Sequence, residues 1–600
     1  MRDEQFPRPL LRRAAWESLD GSWAFAADPG SEWEHPAQVE FDTHIEVPFS
    51  PETARSGVAW TGDLNRCWYR RAWRVPADRR SDPDRSNGQR VILHFGAVDW
   101  AARVWVNGDM VGSHEGGYTP FAVDITHSVP EGGELDIVVR ADDFSRRRDL
   151  PRGKQDWTSA PHEIWYTRTT GIWQTVWLEY TPRTSVTRLD WTSDLDGPSV
   201  TLCAEVEGDP RPGDHLRVQL FLGERRLVDD QIAVTEVSDR RARVRRTFDL
   251  AFAVEEDHRE LFWSPERPTL LDATIDYVGG DGTDSVESYV GIRSVASEGG
   301  HLWLNGELLT LRTALDQGYW PDSGLTAPDV AALRRDVELV KELGLNGVRK
   351  HQKIEDPRWL AFCDELGVLV WEELPSTHEF SPSAVVAWTT EWMRVIARDR
   401  SHPSIIGWVP VNEGWGLPDL MHDEQQRAAL RALTELTRAL DPDRLISAND
   451  GWQTSGGDVI GIHDYGQDAA TLTARYASAE SVRELFGPLG PAIHALTLDG
   501  FDPQARALVV SELGGISLAE DAPDAYGYGN APTTDAWLEQ IRGLCRAVLY
   551  SPVLSGYCWT QLTDTYQETN GLVRMDRTPK APVARLRAAL VGWRLPAEKT

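Results

Sequence analysis

The second half of this 600-residue chain alternates short apolar runs with amphipathic segments of helical period, and this alternation limits its fold more than any other feature. Such apolar runs are typical of parallel strands covered by helices on both faces. One unit has a predicted helix that begins at Pro357 and ends at Gly367, followed directly by a strand. Eight strands are predicted, at 309–312, 347–349, 368–371, 405–411, 445–448, 459–462, 508–510 and 556–559. Eight such units close most economically as a (β/α)₈ barrel.

The first half of the chain has the pattern of β-sheet domains. Short strands of alternating hydrophobicity run from the start to about residue 182, and Asn107-Gly108 is a hairpin signal between two of them. A second β region over 183–296 has the length and turn spacing of an immunoglobulin-like sandwich. We therefore predict a β sandwich over 1–182, an immunoglobulin-like β-sandwich over 183–296 and the barrel over 297–600. Within the barrel, Thr326 and Asp329 form a capping-box pattern that predicts a helix start at Thr326.

Charge and cysteine content exclude several classes of partner. The formal net charge is −31 and the pI about 4.9, so the chain repels nucleic-acid phosphates and anionic lipid surfaces, and we expect neither as a partner. No apolar run reaches membrane-spanning length, and the first residues contain no apolar signal-peptide core. Five scattered cysteines without a Cys-x-x-Cys pair indicate reduced thiols. These features favour a cytoplasmic location.

Two glutamates carry the functional prediction. Glu413 and Glu512 follow the fourth and seventh predicted strands, and the C-terminal ends of barrel strands share one mouth. Two carboxylates at such a mouth can cleave a glycosidic bond, one as general acid/base and the other as nucleophile. Arg349, at the end of the second strand, would keep a nucleophilic carboxylate ionised, and Asn412 is placed to bind a sugar 2-hydroxyl. The general acid is expected to have a raised pKa, because burial and a neighbouring carboxylate both favour its protonated form.

Several segments of the sequence resemble glycoside hydrolase family 2, the family of β-galactosidases, β-glucuronidases and β-mannosidases. Residues 398–408, followed by Asn412-Glu413, are similar to its acid/base signature, and 511–515 is similar to its nucleophile segment. Residues 68–71, 104–108 and 171–177 resemble its N-terminal jelly-roll domain. The resemblance covers essentially the whole chain. It implies a jelly roll, an immunoglobulin-like sandwich and a TIM barrel, in that order.

The resemblance also implies an activity and the residues that perform it. The expected enzyme is an exo-acting retaining hydrolase that removes a terminal β-linked sugar from a carbohydrate substrate, as β-galactosidases do, with Glu413 as acid/base and Glu512 as nucleophile. Trp415 and Trp559 lie at strand ends, where a flat apolar ring would stack on a sugar. The complete set of candidate substrate-binding residues is Asn412, Arg349, His351, Asp316, His463, Tyr465, Trp559 and Trp415.

The sequence departs from the family pattern at two places, a metal-binding position and a motif that recognises the sugar. Ser376 stands where some β-galactosidases of the family have a magnesium-binding acid, so no metal and no other cofactor are predicted. Residues 568–571 lack the Asn-x-Lys motif with which family β-glucuronidases bind the sugar carboxylate, which disfavours ordinary glucuronidase activity.

The sequence leaves alternatives open for the substrate. Lys350 and Lys353 form a cationic patch beside Arg349 that would bind an acidic or arabinose-type sugar. The competing interpretation is that strand alternation turns Lys350 away from the pocket, towards Glu355 and Asp356. A non-catalytic carbohydrate-binding protein is the alternative from another functional class. The oligomeric state is open too, and a homo-oligomer whose neighbouring subunit supplies pocket loops is one alternative.

Overall fold

A computed structural model of the chain contains two β-sandwich domains followed by a parallel barrel. The structure describes residues 4–593 except 81–88, 159, 254–257, 281, 488, 499–500, 502, 504–505 and 520–526. The first domain packs a four-stranded sheet on a six-stranded sheet, with a short two-stranded sheet beside them. In sheet order the strands are Trp16–Ser18, Val176–Pro182, Gln89–Phe95 and Phe121–Asp124; then Thr43–Val47, Gly21–Ala27, Arg66–Arg74, Glu134–Asp142, Ala101–Val106 and Asp109–Glu115; and Gly171–Ile172 with Val98–Asp99.

Residue alternation explains both sandwich cores. Strand Ser199–Glu207 buries every second residue, so Val200, Leu202, Ala204 and Val206 face the core of the second domain, as their spacing predicts. Asn107 and Gly108 both have positive φ, 53° and 92°, and form the predicted hairpin turn of the first domain. The two sheets of the second domain are, in order, Ser185–Asp194, Ser199–Glu207, Arg241–Asp249 and Val237–Ser238; and Arg225–Ala233, His215–Leu222, Leu271–Gly279 and Gly282–Val290.

All eight predicted barrel strands are present in one parallel sheet. Strands one to eight are Leu311–Asp316, Gly347–Lys350, Leu369–Glu373, Ile405–Val409, Leu445–Ile446, Val459–Asp464, Ala507–Gly514 and Gly556–Thr560. The one gap in the ladder, between strands five and six, is bridged by a 2.8 Å hydrogen bond from Asp458 N to the Ile446 carbonyl. A small sheet of Val295–Glu298, His301–Leu304 and Glu307–Leu309 packs with the apolar residues of the barrel interior. The predicted fold class is confirmed.

The helices cover the outside of the barrel. They are Val330–Glu342, Pro357–Leu366, Pro382–Asp399, Glu424–Leu440, Ala469–Arg475, Ala479–Glu484, Thr534–Leu549 and Val583–Leu590, and Ile516–Leu518 pairs with Gly529–Ala531 as a small additional sheet. The capping box predicted at Thr326 is wrong. The first helix begins at Val330 with Asp329 as its N-cap, because the Thr326 hydroxyl instead donates to the Trp173 carbonyl of the first domain, at 2.6 Å. No helix in the described ranges is both long and apolar enough to cross a bilayer.

A long loop of the first domain, described at residues 143–158 and 160–170, lies against the barrel mouth, and we call it the jelly-roll loop. The backbone N–H groups of Arg152 and Gly153 both donate to the Ser376 carbonyl at 3.0 Å. A side chain at Gly153 would not fit, because its Cβ would lie 2.3 Å from the Gln352 carbonyl oxygen. The barrel domain also donates a hydrogen bond to the loop, from the Gln567 side chain to the Trp165 carbonyl at 2.9 Å. The mouth is therefore shared by two domains.

Candidate active site

Glu413 and Glu512 meet at the barrel mouth. Glu512 lies within strand seven, whereas Glu413 lies beyond the end of strand four in a turn with φ of 53°. This left-handed backbone is uncommon for glutamate. It is held by a 2.9 Å hydrogen bond from Glu413 N to the Asp450 carbonyl. Oxygens of the two carboxylates lie within 4.8 Å of each other and of a ring nitrogen of His463. Retaining glycosidases hold their carboxyl groups about 5–5.5 Å apart, and inverting enzymes about 6.5–9.5 Å.

Arg349 is the buried cation at the centre of the site. Its side chain is 1% exposed and is surrounded by acceptors. Nε donates to Glu373 at 2.8 Å, Nη2 donates to Asn412 Oδ1 at 2.7 Å, and Nη1 pairs with Asp450 at 2.7 Å and with Glu512 at 3.3 Å. Carboxylates that are buried this deeply need such a partner to remain ionised. Arg349 thus positions the predicted nucleophile and Asn412 together.

Tyr465 holds the other oxygen of Glu512. Its hydroxyl donates a short hydrogen bond to Glu512 Oε2, while Arg349 contacts Oε1. The Tyr465 ring stacks on Tyr528 with 3.6 Å between centroids. Burial, followed by the charge of Glu512, holds the pKa of Tyr465 well above its ordinary value, so the phenol keeps its proton and remains a donor. The two contacts hold one oxygen of Glu512 each and so orient its side chain.

His463 connects the two glutamates. Nδ1 lies 2.6 Å from Glu413 Oε1, and Nε2 lies 3.0 Å from Asp450 Oδ2 and 3.4 Å from Glu512 Oε1. Burial opposes a charge on this ring, but the three carboxylates outweigh it and raise the pKa of His463 to about 10. Burial likewise acts to raise the pKa of Glu413, yet the hydrogen bond and charge of His463 lower it below its ordinary value. The expectation that the acid itself has a raised pKa is therefore wrong for the free site, where the shared proton lies on His463.

Replacing His463 with glutamine is expected to narrow the pH range of activity from the alkaline side. The Glu413–His463 pair holds its shared proton to high pH, because the pKa of His463 is about 10. Without the imidazole, Glu413 must hold that proton alone, and a carboxyl group loses it at lower pH than the pair does. The alkaline limb of the kcat/KM profile should move down by about one pH unit or more.

His351→Gln is the matched control for this experiment. Burial, and after it the charge of Arg349, lowers the pKa of His351 well below its ordinary value, so this ring is already neutral. Its replacement should leave the alkaline limb in place. If the alkaline limb of the kcat/KM profile were unchanged in His463→Gln as well, Glu413 would not share its proton with His463.

The other predicted site residues lie at different distances from the two glutamates. Trp415 donates from Nε1 to Glu413 Oε2 at 3.3 Å, so it borders the acid/base side. His351 lies behind the site, with Nδ1 3.2 Å from Glu373. Trp559 has 0% exposure and offers no open ring face, so its role as a sugar platform stays a prediction.

Asp316 and the two lysines do not face the pocket. Asp316 is paired in register with Lys350 on the neighbouring strand, and paired residues point to the same side of a sheet. Lys350 binds Asp316 and, at 3.0 Å, Glu355. Lys353 binds Glu355 at 2.7 Å and two backbone carbonyls at 2.8 Å. The predicted cationic patch is therefore wrong as a ligand site. The alternative interpretation is correct for Glu355, whereas Asp356 pairs with an arginine instead.

One group within the described ranges has the spacing of metal ligands, namely Glu413, His463 and Glu512. A metal would require a deprotonated imidazole. The raised pKa of His463, about 10, keeps this ring protonated at neutral pH. The group fits a proton-sharing role better than a metal site. His378, beside the predicted departure at Ser376, is 2.8 Å from the Gly153 carbonyl and serves to hold the jelly-roll loop.

Sequence reasoning missed the two acids that surround Arg349. Glu373 ends strand three, and this position at a strand end is the signal that would have found it. Asp450 follows strand five in the segment Asn449-Asp450-Gly451, which has the composition of an ordinary turn. Only the tertiary structure brings Asp450 to Arg349.

The jelly-roll loop adds an aromatic wall beside Glu413, which the sequence did not reveal. The wall consists of Trp157, Trp165, His378 and Trp415. Ring centroids are 5.0 Å apart for Trp157 and Trp165, 4.6 Å for Trp165 and His378, and 4.9 Å for Trp165 and Trp415. The acid/base side of the mouth is thus lined by both domains.

Solved structures show the same architecture. A GH2 β-galacturonidase from Eisenbergiella tayi, bound to glycerol, superposes with a TM-score of 0.74 at 20% identity, covering 99% of this chain and 100% of that one. A Bifidobacterium dentium β-glucuronidase complexed with coumarin-3-O-glucuronide gives a TM-score of 0.75 at 20% identity, covering 97% of this chain and 98% of that one. At this identity the likeness establishes the fold alone.

Sequence comparison identifies the family. A β-galactosidase of Thermoanaerobacter pseudethanolicus is 28% identical over 354 residues, which are 58% of this chain and 44% of that protein. The chain spans less than half the length of the first curated relatives that it matches. The model for the sugar binding domain of glycosyl hydrolases family 2 matches residues 16–182, and the model for the TIM barrel domain of the same family matches 295–472. These two matches cover more than half of the chain, which therefore belongs to glycosyl hydrolase family 2.

Proposed function

We propose that this chain is an exo-acting retaining glycosidase that removes a terminal β-linked sugar, with Glu512 as nucleophile and Glu413 as acid/base. The observation that carries the proposal is the narrow gap between the two carboxylates, whose oxygens lie within 4.8 Å. A gap of this size between the nearest oxygens agrees with the carboxyl separation of about 5–5.5 Å in retaining enzymes better than with the 6.5–9.5 Å of inverting enzymes. The related proteins are named for a neutral sugar in one case, a β-galactosidase, and for acidic sugars in two others, a β-galacturonidase and a β-glucuronidase.

In the first step, Glu512 attacks the anomeric carbon while the bond from that carbon to the glycosidic oxygen breaks. Glu413 gives a proton to the departing oxygen, and a covalent glycosyl-enzyme remains. The proton is supplied by the Glu413–His463 pair, whose atoms are 2.6 Å apart. Arg349 and Tyr465 hold one oxygen of Glu512 each, so the nucleophile is oriented before substrate arrives.

In the second step, Glu413 accepts a proton from a water that attacks the anomeric carbon, and Glu512 leaves as a carboxylate. Asn412 would stabilise both transition states through the sugar 2-hydroxyl. Arg349 already occupies its amide oxygen at 2.7 Å, and in the described ranges no acceptor takes its NH₂ group. The free donor of Asn412 is therefore available to a hydroxyl at the sugar.

Retention of configuration is the result expected from this double displacement. Proton NMR during hydrolysis of a nitrophenyl β-glycoside should show the β-anomer as the first free sugar, with the α-anomer appearing only by later mutarotation. A panel of β-galactoside, β-glucuronide, β-galacturonide, β-mannoside and arabinoside substrates would include the neutral and acidic classes. An α-anomer formed first would contradict the mechanism. Glycan binding without turnover of any panel member would favour a carbohydrate-binding protein instead.

A further inference from the structure

Lys154 is a buried cation at the site, and no acidic side chain in the described ranges forms an ion pair with it. The residue is 7% exposed and belongs to the jelly-roll loop. Throughout the described part of the chain, no carboxylate, carbonyl or hydroxyl accepts a hydrogen bond from its Nζ, and the one contact of the ammonium is with the Trp165 ring, 5.2 Å from the centroid. Burial of an ammonium without an anion is unfavourable, so such a group is ready to bind one.

Four other buried cations around the mouth have carboxylate partners, whereas Arg148, which lies over the Trp157 ring, is exposed to solvent. Arg349 has three carboxylates, while Lys350 and Lys353 share Glu355. Arg152, two residues before Lys154, pairs with Asp143 at 2.6 Å. Lys154 therefore differs from these four buried cations in having no carboxylate partner among the described residues.

The position of Lys154 is fixed by its backbone. The carbonyl of the preceding residue, Gly153, accepts from His378 Nε2 at 2.8 Å, and the carbonyl of Lys154 itself accepts from Tyr166 N at 2.9 Å. Gly153 also lies too close to the barrel for any side chain. These contacts hold the lysine at a defined place on the mouth.

That place is the acid/base side of the site. The Trp165 ring beneath the ammonium packs edge-on against Trp415, and Trp415 donates to Glu413. Burial acts to raise the pKa of Glu413, whereas His463 and then the positive charge of Lys154 act to lower it. The ammonium is thus close enough for its charge to act on the proposed acid.

We propose that Lys154 selects the substrate: its ammonium binds a carboxylate carried by the glycoside, so the preferred substrate is an acidic saccharide. This inference rests on the proposed glycosidase function and names the substrate class of the same site. The carboxylate belongs either to the sugar that is released or to the leaving group beside it. In both cases its negative charge would offset Lys154, which would make Glu413 easier to protonate when substrate is bound.

The test compares wild type with Lys154→Met, which keeps a long apolar side chain over the Trp165 ring. Nitrophenyl β-galacturonide and β-galactoside form a matched pair, because they differ only in the carboxylate. We expect the ratio of kcat/KM for the acidic over the neutral substrate to fall by about 10- to 100-fold in Lys154→Met, the scale of a lost charge-assisted hydrogen bond. Lys154→Arg should retain most of the preference.

A second pair of substrates distinguishes the two sources of the carboxylate. The neutral β-galactoside is offered with either a 4-carboxyphenyl or a 4-nitrophenyl leaving group. If Lys154→Met loses kcat/KM selectively on the galacturonide, the carboxylate belongs to the released sugar. If it loses kcat/KM selectively on the carboxyphenyl galactoside, the carboxylate belongs to the leaving group. Either result supports the inference.

Two outcomes would overturn the inference while leaving the glycosidase assignment intact. The first is that Lys154→Met changes neither the ratio of kcat/KM for the galacturonide over the galactoside nor the ratio for the carboxyphenyl over the nitrophenyl galactoside. The second is an equal loss of kcat/KM on every substrate. Thermal unfolding provides an independent readout, because removal of an uncompensated cation should leave Tm unchanged or higher. A clear fall in Tm would show that Lys154 has a structural role. Failure of the wild-type enzyme on every glycoside would remove the proposed function itself, and this inference with it.

Discussion

Glu512→Gln is expected to lose nearly all turnover, by about 10⁴-fold or more, the scale seen when a covalent nucleophile is removed from a hydrolase. The amide has the volume of the carboxylate, and it can still accept from Tyr465, but it cannot form the glycosyl-enzyme. The measurement is kcat on a nitrophenyl glycoside that the wild type cleaves. Activity close to wild type in this variant would reject Glu512 as nucleophile.

Azide rescue separates the roles of the two glutamates. In Glu512→Ala, azide can enter the space left by the carboxylate and attack the anomeric carbon directly, which gives the α-glycosyl azide with inverted configuration. In the matched variant Glu413→Ala, the covalent intermediate still forms from a substrate with a good leaving group. Azide then replaces water in the second step and gives the β-glycosyl azide. If the two products were exchanged between the variants, the assignments of Glu413 and Glu512 would be exchanged too.

Arg349→Met is expected to give the largest loss of stability. Arg349 compensates the buried carboxylates Glu373, Asp450 and Glu512, at 2.8, 2.7 and 3.3 Å. Breaking a buried ion pair from one side costs about 3–5 kcal/mol, because the remaining charge stays buried. We expect Tm, followed by circular dichroism, to fall by roughly 5–15 °C. Activity should be lost together with stability, since Glu512 and Asn412 lose their common partner.

The stability deficit of Arg349→Met should depend on pH in a defined direction. Burial already raises the pKa of Glu373 to about 7, although Arg349 acts to lower it. Without Arg349 this pKa rises further, so folded Glu373 holds a proton that the unfolded chain has released. Folded wild-type Glu373 also holds its proton below about pH 7, so the two proteins differ in this titration only above that pH. The part of the deficit due to Glu373 therefore grows as pH rises above about 7 and shrinks as pH falls back towards 7.

Arg335→Met provides the control for Arg349→Met. Arg335 lies on helix Val330–Glu342 with its side chain 50% exposed, and it pairs with Glu342 at 2.6 Å. An exposed pair of this kind contributes about 0–1 kcal/mol, so its loss should barely move Tm. Equal shifts in the two variants would contradict the central role of Arg349.

The barrel was predictable because most of its strands contain a buried apolar run. All residues of strands Ile405–Val409 and Ala507–Gly514 are buried, so their positions follow from hydrophobicity alone. The two glutamates were predictable for the same reason, since they follow or end such runs. Strand alternation likewise explains why Arg349 reaches the mouth whereas its neighbour Lys350 does not.

The charge network around the glutamates was not predictable from the sequence. Asp450 lies about a hundred residues from Arg349 along the chain, and no local pattern links an acid in a turn to a distant arginine. The proton position was missed for the same reason, because the pKa of Glu413 depends on His463, which belongs to another strand. Lys154 lies in a loop without periodicity, so its place at the mouth depends entirely on how the loop docks.

Because the jelly-roll loop docks on the barrel, the first domain and the barrel contribute different functional groups to one site. The bond-breaking groups all come from the barrel, while the cation proposed to choose the substrate comes from the first domain. A chimera that joined this barrel to the first domain of a related protein would keep its chemistry and acquire the donor's preference among sugars. Recombination at the boundary between the two domains would thus change the substrate specificity without changing the catalytic residues.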